Sequence, residues 1–549
     1  MILDPVQKSP ALRRIVTGVA GAATILLAVT ACSGAGAAGD SSTPVSGGTL
    51  TYASGDAEPT CLDPHVGGNY PQALLATQYI EELVGLDDGR PTPELAEKWT
   101  TSDDGKTLTF TLRDDVTFTD GTPFDAAAVV ANIEHVQDPA TASSTGYLAL
   151  QSIEKATATD DHTVTLSLSR PDAALLESFS QPWVGMESPK ALQRKQATNC
   201  ESPVGTGPFA VTGWKHGDRV TLERNTAYTP LAGSSTEPRL DGLTWRFLPD
   251  STSRYAALQS GQVDVIDNAQ PDQLKAASAK GSIRDLDAPR PGASNRLELN
   301  SGHGVFRDES VREAFIAAAE IDPGLRSLFL GTAKRSYSVL SSVEPTSYSD
   351  ESLFAYDPAE AKRLLDEAGW KTNSDGVREK DGKTLTVTFP VSTNQSVPAE
   401  RSLFQQIQAS EAEVGIEVRL QELDLSSWYA ALAENQYDVV SAPYTKVGPD
   451  VLRILYDSAS ITPAPSGYFA NLAQLDDPAL DELLEKASQT SDANERADLV
   501  EQAQRTILES RTVLPLYDQQ NHFLYRSAVH GISTTSVSTP WFGTAWIAR

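Results

Sequence analysis

Three cysteines carry the most definite chemistry in this chain, and the first of them, Cys32, ends an export-like N-terminus. Three basic residues precede an uncharged apolar run over residues 15–31, and small residues stand directly before Cys32. This order is typical of an export signal, and a cysteine at this point looks like a bacterial lipobox, whose sulfur receives a diacylglyceryl group. The sequence therefore predicts removal of residues 1–31 and lipidation of Cys32. The alternative is an uncleaved anchor, because the run approaches the ~18 apolar residues of a spanning helix.

The remaining cysteines, Cys61 and Cys200, form an even pair in an exported chain. Oxidising compartments favour disulfides between such pairs. We predict a Cys61–Cys200 disulfide, with two unrelated buried thiols as the alternative.

Catalytic motifs with a clear mechanism are missing from the sequence. It contains no H-E-x-x-H, G-x-S-x-G, P-loop or C-x-x-C pattern, and its seven histidines show no pair at helical ligand spacing. The many acidic residues leave a hydrolytic carboxylate pair open. The sequence favours a protein that is not an enzyme, and it predicts neither a cofactor nor a metal site.

The composition separates a tether from a large acidic globular part. Residues 32–47 are mostly Ser, Gly, Ala, Thr and Pro, a composition that behaves as a flexible tether. The whole chain has a formal net charge of −29. This acidity argues against nucleic acid and anionic membrane surfaces as partners and favours solubility.

The pattern of apolar residues predicts mixed α/β lobes. Residues 385–391, 416–423 and 437–442 read as strands, and residues 400–413 and 426–434 between them read as helices. This β-α-β-α-β order predicts a parallel sheet flanked by helices. Residues 107–112 and 162–168 alternate polar and apolar side chains instead, which predicts an antiparallel region with one solvated face.

Several segments of the chain together resemble one known family. In chain order they are Leu95-Ala-Glu-Lys-Trp99, Ser102-Asp-Asp-Gly105, Thr107-Leu-Thr-Phe-Thr-Leu-Arg113, Val116-Thr-Phe118, Asp120-Gly-Thr-Pro-Phe124, Ala128-Val-Val130, Gly205-Thr-Gly-Pro-Phe209, the helix Asp308 to Ala319, Tyr356-Asp-Pro358, Gly369-Trp370 and Leu514-Pro-Leu-Tyr517. This series is similar to the extracellular solute-binding proteins of family 5, the peptide- and nickel-binding group that serves ABC importers. The resemblance covers nearly the whole chain after the tether.

The resemblance implies an α/β, two-lobed, periplasmic-binding-protein-like (Venus flytrap) fold that closes on a ligand. Lobe I would comprise residues 48–75, 188–294 and 521–549, with an inserted subdomain at 76–187. Lobe II would comprise residues 295–520. Closure of such lobes requires a ligand that contacts both of them, and we keep these names for these residue ranges.

The resemblance also suggests candidate ligand-binding residues. In peptide binders of the family, an aspartate in the loop after the strand equivalent to 437–442 pairs with the α-amine of the ligand, whereas here that loop reads Pro443-Tyr-Thr-Lys446. Asp450 either supplies this carboxylate from a shifted loop or caps the helix that follows it. The other candidates are residues of presumed cleft loops, whose aromatic rings suit a generalist binder: Asn69, Tyr70, Trp183, Trp428, Tyr444 and Trp541.

The function implied by this resemblance is substrate binding for an importer. We predict a lipid-anchored protein that faces the periplasm or the cell exterior, binds short peptides or peptide-like solutes, and delivers them to ABC permease and ATPase subunits. The alternatives are the same scaffold with another solute, such as an oligosaccharide, an opine or a metal chelate, and a ligand sensor without transport. No pattern indicates oligomerisation, so a monomer is expected.

Overall fold

The structure is a computed structural model that describes residues 43–87, 89–231, 237–393, 395–441, 443–464 and 467–548. The predicted export signal, Cys32 and most of the predicted tether lie outside the described residues. Among the helices that are described, none is long and apolar enough to cross a membrane.

Lobe I is built on a seven-stranded mixed sheet that collects strands from distant parts of the chain. Its strands, in spatial order, are Ile283–Pro289, Gln520–Arg526, Val265–Ile266, Thr49–Ser54, Gly242–Phe247, Arg219–Arg224 and Phe209–Lys215. Thr49–Ser54 is parallel to both of its neighbours, and the other pairs are antiparallel. The carboxyl ends of two parallel strands, Thr49–Ser54 and Val265–Ile266, therefore meet at one edge of the sheet.

The inserted subdomain has a separate four-stranded antiparallel sheet. Its strands, in spatial order, are Ala96–Thr101, Thr107–Leu112, Thr163–Leu168 and Ile153–Asp160, with a hairpin of Val84–Asp87 and Arg90–Pro93 beside them. Leu108, Phe110 and Leu112 are buried, while the residues between them are partly exposed. This confirms the antiparallel region that the alternating pattern predicts.

Lobe II contains the predicted β-α-β-α-β segment with one difference in pairing. Strands Thr386–Ser392 and Glu417–Leu423 are parallel, as predicted, and helices Pro398–Glu413 and Leu425–Ala433 follow them. The third strand, Val439–Ser441, forms its ladder with Asn295–Leu299 in antiparallel orientation. The prediction of an all-parallel sheet is therefore wrong at this strand, because local apolar spacing does not specify a partner so far away in the chain.

The helices connect these sheets and cover them. Those of lobe I and the inserted subdomain are Tyr70–Ala76, Ala126–Gln137, Thr145–Ala149, Leu175–Ser178, Pro189–Leu192, Gln196–Glu201, Ser251–Ser260 and Pro271–Ser278. Those of lobe II are Glu309–Ala318, Asp322–Leu328, Pro358–Glu367, Pro398–Glu413, Leu425–Ala433, Val451–Tyr456, Pro478–Gln489 and Ala493–Glu509. Short strands complete lobe II at Lys371–Thr372, Arg378–Lys380, Lys383–Thr384 and Val513–Tyr517, and the C-terminal part of the chain at Val529–His530, Ser533–Thr534, Pro540–Trp541 and Trp546–Ile547.

Two chain crossings join the lobes side by side. The first leaves the lobe I sheet after Pro289 and enters lobe II at Asn295, and the second returns between Tyr517 and Gln520. The backbone N–H of Arg290 donates to the carbonyl of Gln519 at 3.0 Å, so the two crossings contact each other. Since each part has its own buried apolar core, we expect the lobes to move as bodies about these crossings.

A disulfide ties the start of lobe I to a later helix. Cys61 and Cys200 are bonded, which confirms the predicted pairing. Cys200 lies in helix Gln196–Glu201, directly after Asn199. The predicted boundaries at residues 76, 188, 295 and 521 stay predictions.

Candidate ligand-binding site

A large cavity lies between the lobes. Its volume is about 440 Å³, within the ~300–1,000 Å³ of typical small-molecule sites. Lobe I, the inserted subdomain and lobe II all contribute walls to this interlobe cavity. The polar residues that line it are Asp56, Asn69, Ser144, Thr145, Asp267, Asn268, Arg290, Gln395, Thr445 and Asn521.

Aromatic rings form much of the remaining wall. These lining residues are Tyr70, Trp183, Trp428, Tyr429, Tyr444, Tyr468, Phe469 and Phe523. Four of them, Tyr70, Trp183, Trp428 and Tyr444, are aromatic residues that the sequence proposes for ligand contact, and Asn69 also lines the cavity. Flat rings give a solute apolar contact area without demanding one side-chain shape.

The start of the first helix positions Tyr70. Asn69 caps helix Tyr70–Ala76, because its side-chain oxygen accepts the backbone N–H of Gln72 at 3.1 Å. The Tyr70 hydroxyl accepts from Asn521 Nδ2 at 2.6 Å and donates to the carbonyl of Ser538 at 2.9 Å. Tyr70 is therefore held by its backbone at the start of the helix and by the hydrogen bonds of its hydroxyl. Asn69 has a structural role whether or not it contacts a ligand.

A pair of carboxylates stands where the two parallel strands of lobe I end. Asp267 accepts three hydrogen bonds, from Tyr52 Oη at 2.6 Å, Ser54 Oγ at 2.8 Å and the Gly55 backbone N–H at 2.6 Å. Asp56 is different, because its side chain accepts only from Asn268 Nδ2, at 2.7 Å, among the described residues.

The electrostatics of Asp56 follow from this position. Burial, and then the negative charge of Asp267, raise the pKa of Asp56 to about 7. The hydrogen bond from Asn268 and the positive charge of Arg290 act in the opposite direction. A cationic partner would therefore stabilise the charged form of Asp56.

Arg290 brings the opposite charge to the same cavity. It lies at the first chain crossing, and its guanidinium stacks over the Tyr70 ring with 3.8 Å between Cζ and the ring centroid. Its Nε donates to Thr445 Oγ1 of lobe II at 2.8 Å. Arg290 therefore connects the wall of lobe I, the crossing and lobe II in one set of contacts.

Asp450 does not line the interlobe cavity, in contrast to the hypothesis of a ligand carboxylate from a shifted loop. It stands at the cap position of helix Val451–Tyr456 but makes no side-chain capping hydrogen bond, so that interpretation is also wrong. Its carboxylate instead accepts from Arg453 at 2.9 and 3.1 Å and lies 3.7 Å from Lys446 Nζ. Burial tends to raise the pKa of Asp450, but the two cations outweigh it and hold the pKa below its ordinary value.

Asp450 belongs to what we call the interlobe ion cluster, made of Glu177, Lys446, Asp450, Arg453 and Arg496. Glu177 of the inserted subdomain pairs with Arg496 of lobe II at 3.2 Å. Lys446 also reaches across, donating to Ser178 Oγ at 3.4 Å. The cluster joins the two parts through charges that are paired within the protein.

Trp541 also lies away from the cavity lining. It is half-buried in strand Pro540–Trp541, which pairs with Ser533–Thr534, and its ring covers Gly543. The proposed ligand contact is not supported by this position, because the strand places the ring against its own C-terminal segment.

Sequence patterns did not identify the charged part of the cavity, Asp56 and Arg290, or the rings of Tyr429 and Tyr468. One signal was available for Asp56, since ligands of α/β sheets gather at the carboxyl ends of parallel strands. Asp56 follows the first strand by two residues, and Asn268 follows its parallel neighbour. No local signal exists for Arg290, because its position depends on the packing of two crossings.

Comparisons with known proteins agree with this architecture. The family model "Bacterial extracellular solute-binding proteins, family 5 Middle" matches residues 90–464. The glutathione-binding protein GsiB of Salmonella paratyphi A is 30% identical over 474 residues, covering 83% of this chain and 86% of GsiB.

Solved structures show the same two-lobed fold. NikA from Brucella suis, in complex with Fe(III)-EDTA, has a TM-score of 0.76 at 27% identity and covers 91% of this chain and 100% of its own. The periplasmic binding protein DppA from Helicobacter pylori, in complex with the peptide STSA, has a TM-score of 0.81 at 23% identity, covering 92% and 99%. AgaA from A. tumefaciens R10, in complex with agropinic acid, has a TM-score of 0.77 at 25% identity, covering 91% and 99%.

These findings confirm the predicted fold class and the resemblance from which it was inferred. They also confirm a solute-binding protein of the ABC-importer type rather than an enzyme. The chain belongs to the bacterial extracellular solute-binding proteins of family 5.

Proposed function

We propose that this protein is the lipid-anchored substrate-binding subunit of an ABC importer and that it captures short peptides or peptide-like zwitterionic solutes. The observation that carries this proposal is the pair of opposite charges, Asp56 and Arg290, in an interlobe cavity walled by aromatic rings. Its volume of about 440 Å³ suits a small solute.

The two charges match the two ends of a zwitterion. Among the described residues, Asp56 accepts one hydrogen bond, and it can accept others from an ammonium group. In the same part of the chain, the guanidinium of Arg290 uses Nε and Nη2 on Thr445, which leaves Nη1 for a ligand carboxylate. In this arrangement lobe I supplies the carboxylate that the loop Pro443-Tyr-Thr-Lys446 lacks.

The same geometry couples binding to closure. A solute that contacts Asp56 of lobe I and the rings of Trp428 and Tyr444 of lobe II favours the closed arrangement, because it gains contacts there that the open form does not offer. The closed form is the species that permease and ATPase subunits would receive. Cys32 would hold the protein at the membrane, facing the periplasm or the cell exterior.

Arg290 also favours one alternative, an acidic solute that is not a peptide. AgaA, which is similar to this chain at 25% identity, was solved in complex with agropinic acid. A solute of this kind would use the guanidinium and the aromatic walls without requiring the carboxylate of Asp56.

Native mass spectrometry of the freshly purified protein, followed by denaturation, tests the proposal by identifying the solute that the cavity retains. A series of masses that fragment as short peptides, with micromolar or tighter rebinding by calorimetry, would support it. One discrete acidic compound without an amine would favour the alternative. Retained or rebound neutral sugars would contradict both.

A further inference from the structure

We propose that Asp63, His65 and His135 form a binding site for a divalent first-row transition metal ion such as Zn²⁺, separate from the interlobe cavity. One donor atom from each of these side chains lies within 4.8 Å of the other two. None of the three lines the cavity. This site departs from the sequence-based prediction of no metal.

The hydrogen bonds of His65 prepare it as a ligand. Its Nε2 lies 2.8 Å from the carbonyl of Gly185, and only a protonated nitrogen can donate to a carbonyl. Nδ1 therefore carries the lone pair. The residue is 1% exposed, and Nδ1 has no hydrogen-bond partner among the described residues. An imidazole whose second nitrogen donates to a backbone carbonyl is the usual arrangement of a metal-bound histidine.

His135 has a matching arrangement on the last turn of helix Ala126–Gln137. Thr141 Oγ1 lies 2.6 Å from the carbonyl of His135 and 3.2 Å from its Nδ1. Nε2 lies 3.0 Å from Asp63 Oδ2, so a protonated Nε2 donates to this carboxylate when no ion is bound. A metal ion at this point would replace that proton, with Nε2 and the carboxylate as ligands and Thr141 Oγ1 accepting from the protonated Nδ1.

Two carboxylates complete the set of candidate ligands. Asp63 is fully buried and is oriented by Asn199 Nδ2, which donates to Oδ2 at 3.0 Å. Asn199 Nδ2 also lies 2.8 Å from Glu187 Oε2, while Glu187 Oε1 is buried without a hydrogen-bond partner among the described residues. Two imidazoles and a carboxylate, with a second carboxylate adjacent, are ligands that Zn²⁺ and its neighbours accept.

The required adjustment is small. Zn²⁺ holds nitrogen and oxygen ligands at ~2.0–2.2 Å, so the donor atoms of a tetrahedral set lie ~3.4 Å apart. The donor atoms already lie within 4.8 Å of one another, so movements of about 1 Å by each would bring them to such a set. Each has a rotatable Cα–Cβ bond, and His135 lies partly at the surface, which gives the ion an entry path.

The position of the site suggests a structural role. Asp63 and His65 follow Cys61 by a few residues, and Asn199 precedes Cys200. A metal ion would therefore join the first segment of lobe I to the inserted subdomain beside the disulfide. Binding to the folded chain alone would stabilise this junction.

The test uses the full chain, purified without a histidine tag and treated with chelator. We expect Zn²⁺ to bind at one ion per chain in native mass spectrometry and to raise Tm. His135→Gln should weaken Zn²⁺ binding by more than about tenfold. The matched control is His216→Gln, which changes a histidine that also contacts two carboxylates, Glu58 and Glu201, but is exposed. It should leave binding unchanged.

The proposal is overturned if the chelated protein takes up no stoichiometric Zn²⁺, or if the two variants bind it equally well. If His135→Gln does not fold, modification of the unaltered chain with diethyl pyrocarbonate decides the question. Zn²⁺ should protect His135 from modification and leave His216 reactive. Equal reactivity of His135 with and without Zn²⁺ would exclude the site.

Discussion

The interlobe cavity and the interlobe ion cluster both place charged groups between the same parts of the molecule. The cluster pairs its carboxylates with cations of the protein, whereas the cavity leaves a carboxylate with few partners. In the ion cluster, Asp450 is bound by Arg453 and Lys446, and Glu177 is bound by Arg496. In the cavity, Asp56 has one hydrogen-bond donor from the described side chains.

This difference separates a structural contact from a recognition contact. Removing one partner of a buried ion pair leaves a charge without compensation, which is costly. A cavity carboxylate without a full set of partners already bears that cost, and a cationic ligand group relieves it. The ion cluster therefore should control stability and closure, and the cavity should control affinity.

The largest effect is expected from Asp450→Asn in the ion cluster. The change leaves Arg453 and Lys446 buried without their carboxylate, so the free energy of unfolding should fall by about 3–5 kcal/mol. Denaturant unfolding measures it. The exposed helical pair Glu501 and Arg505 supplies the control, Glu501→Gln, which should have no measurable effect. Intrinsic affinity for the retained solute should stay the same in the folded variant, and a loss of affinity without a loss of stability would reverse our assignment of Asp450.

The next effect is expected from Asp56→Asn in the cavity. Loss of a charge-assisted hydrogen bond to an ammonium group should weaken binding of a zwitterionic solute by about 10- to 100-fold. Calorimetry with the solute identified by mass spectrometry measures this. Asp241→Asn is the control, because Asp241 is an exposed carboxylate of lobe I that pairs with Arg224. Unchanged affinity in Asp56→Asn would mean that the cavity carboxylate does not recognise the ligand.

The same residue predicts a dependence on pH. The pKa of Asp56 rises from 3.8 to about 7 on folding, so the folded chain holds a proton there that the unfolded chain releases. Its contribution to the free energy of unfolding therefore falls as pH rises from about 4 to about 7 and is constant above that. Affinity for an ammonium group should rise over pH 6–8, because binding needs the carboxylate.

Unfolding and calorimetry of the unaltered protein and of Asp56→Asn, compared at each pH, isolate this contribution from other titrating groups. Parallel pH profiles for the two proteins would contradict the assigned pKa.

The smallest effect is expected from Glu177→Gln. Loss of the charge pair with Arg496 weakens a contact between the inserted subdomain and lobe II, so the ligand-free protein should be open more often. We expect a larger radius of gyration in X-ray scattering and an affinity lowered by a few fold. Glu485→Gln is the matched control, because its pair with Arg170 also joins these parts but is more exposed. Equal scattering curves for both variants would show that the ion cluster does not bias closure.

Local patterns in the sequence determined a large part of the fold. The alternation of Thr107–Leu112 and the parallel pair Thr386–Ser392 and Glu417–Leu423 were predictable, because apolar periodicity depends on neighbours in the chain. The disulfide was predictable from the count of cysteines in a chain with a predicted export signal. Part of the aromatic wall of the cavity, Tyr70, Trp183, Trp428 and Tyr444, was also indicated, because rings in presumed cleft loops suit a binding wall.

Only the tertiary structure decides which partners the charged groups have and which strand pairs with Val439–Ser441. Glu177 pairs with Arg496, which is 319 residues away in the chain, and Asp56 accepts from Asn268, which is 212 residues away. His65 and His135 come together in the same way. The physical reason is that the partner of a charged group or an imidazole nitrogen depends on which distant residues lie beside it in the folded chain. Spacing along the sequence does not contain that information.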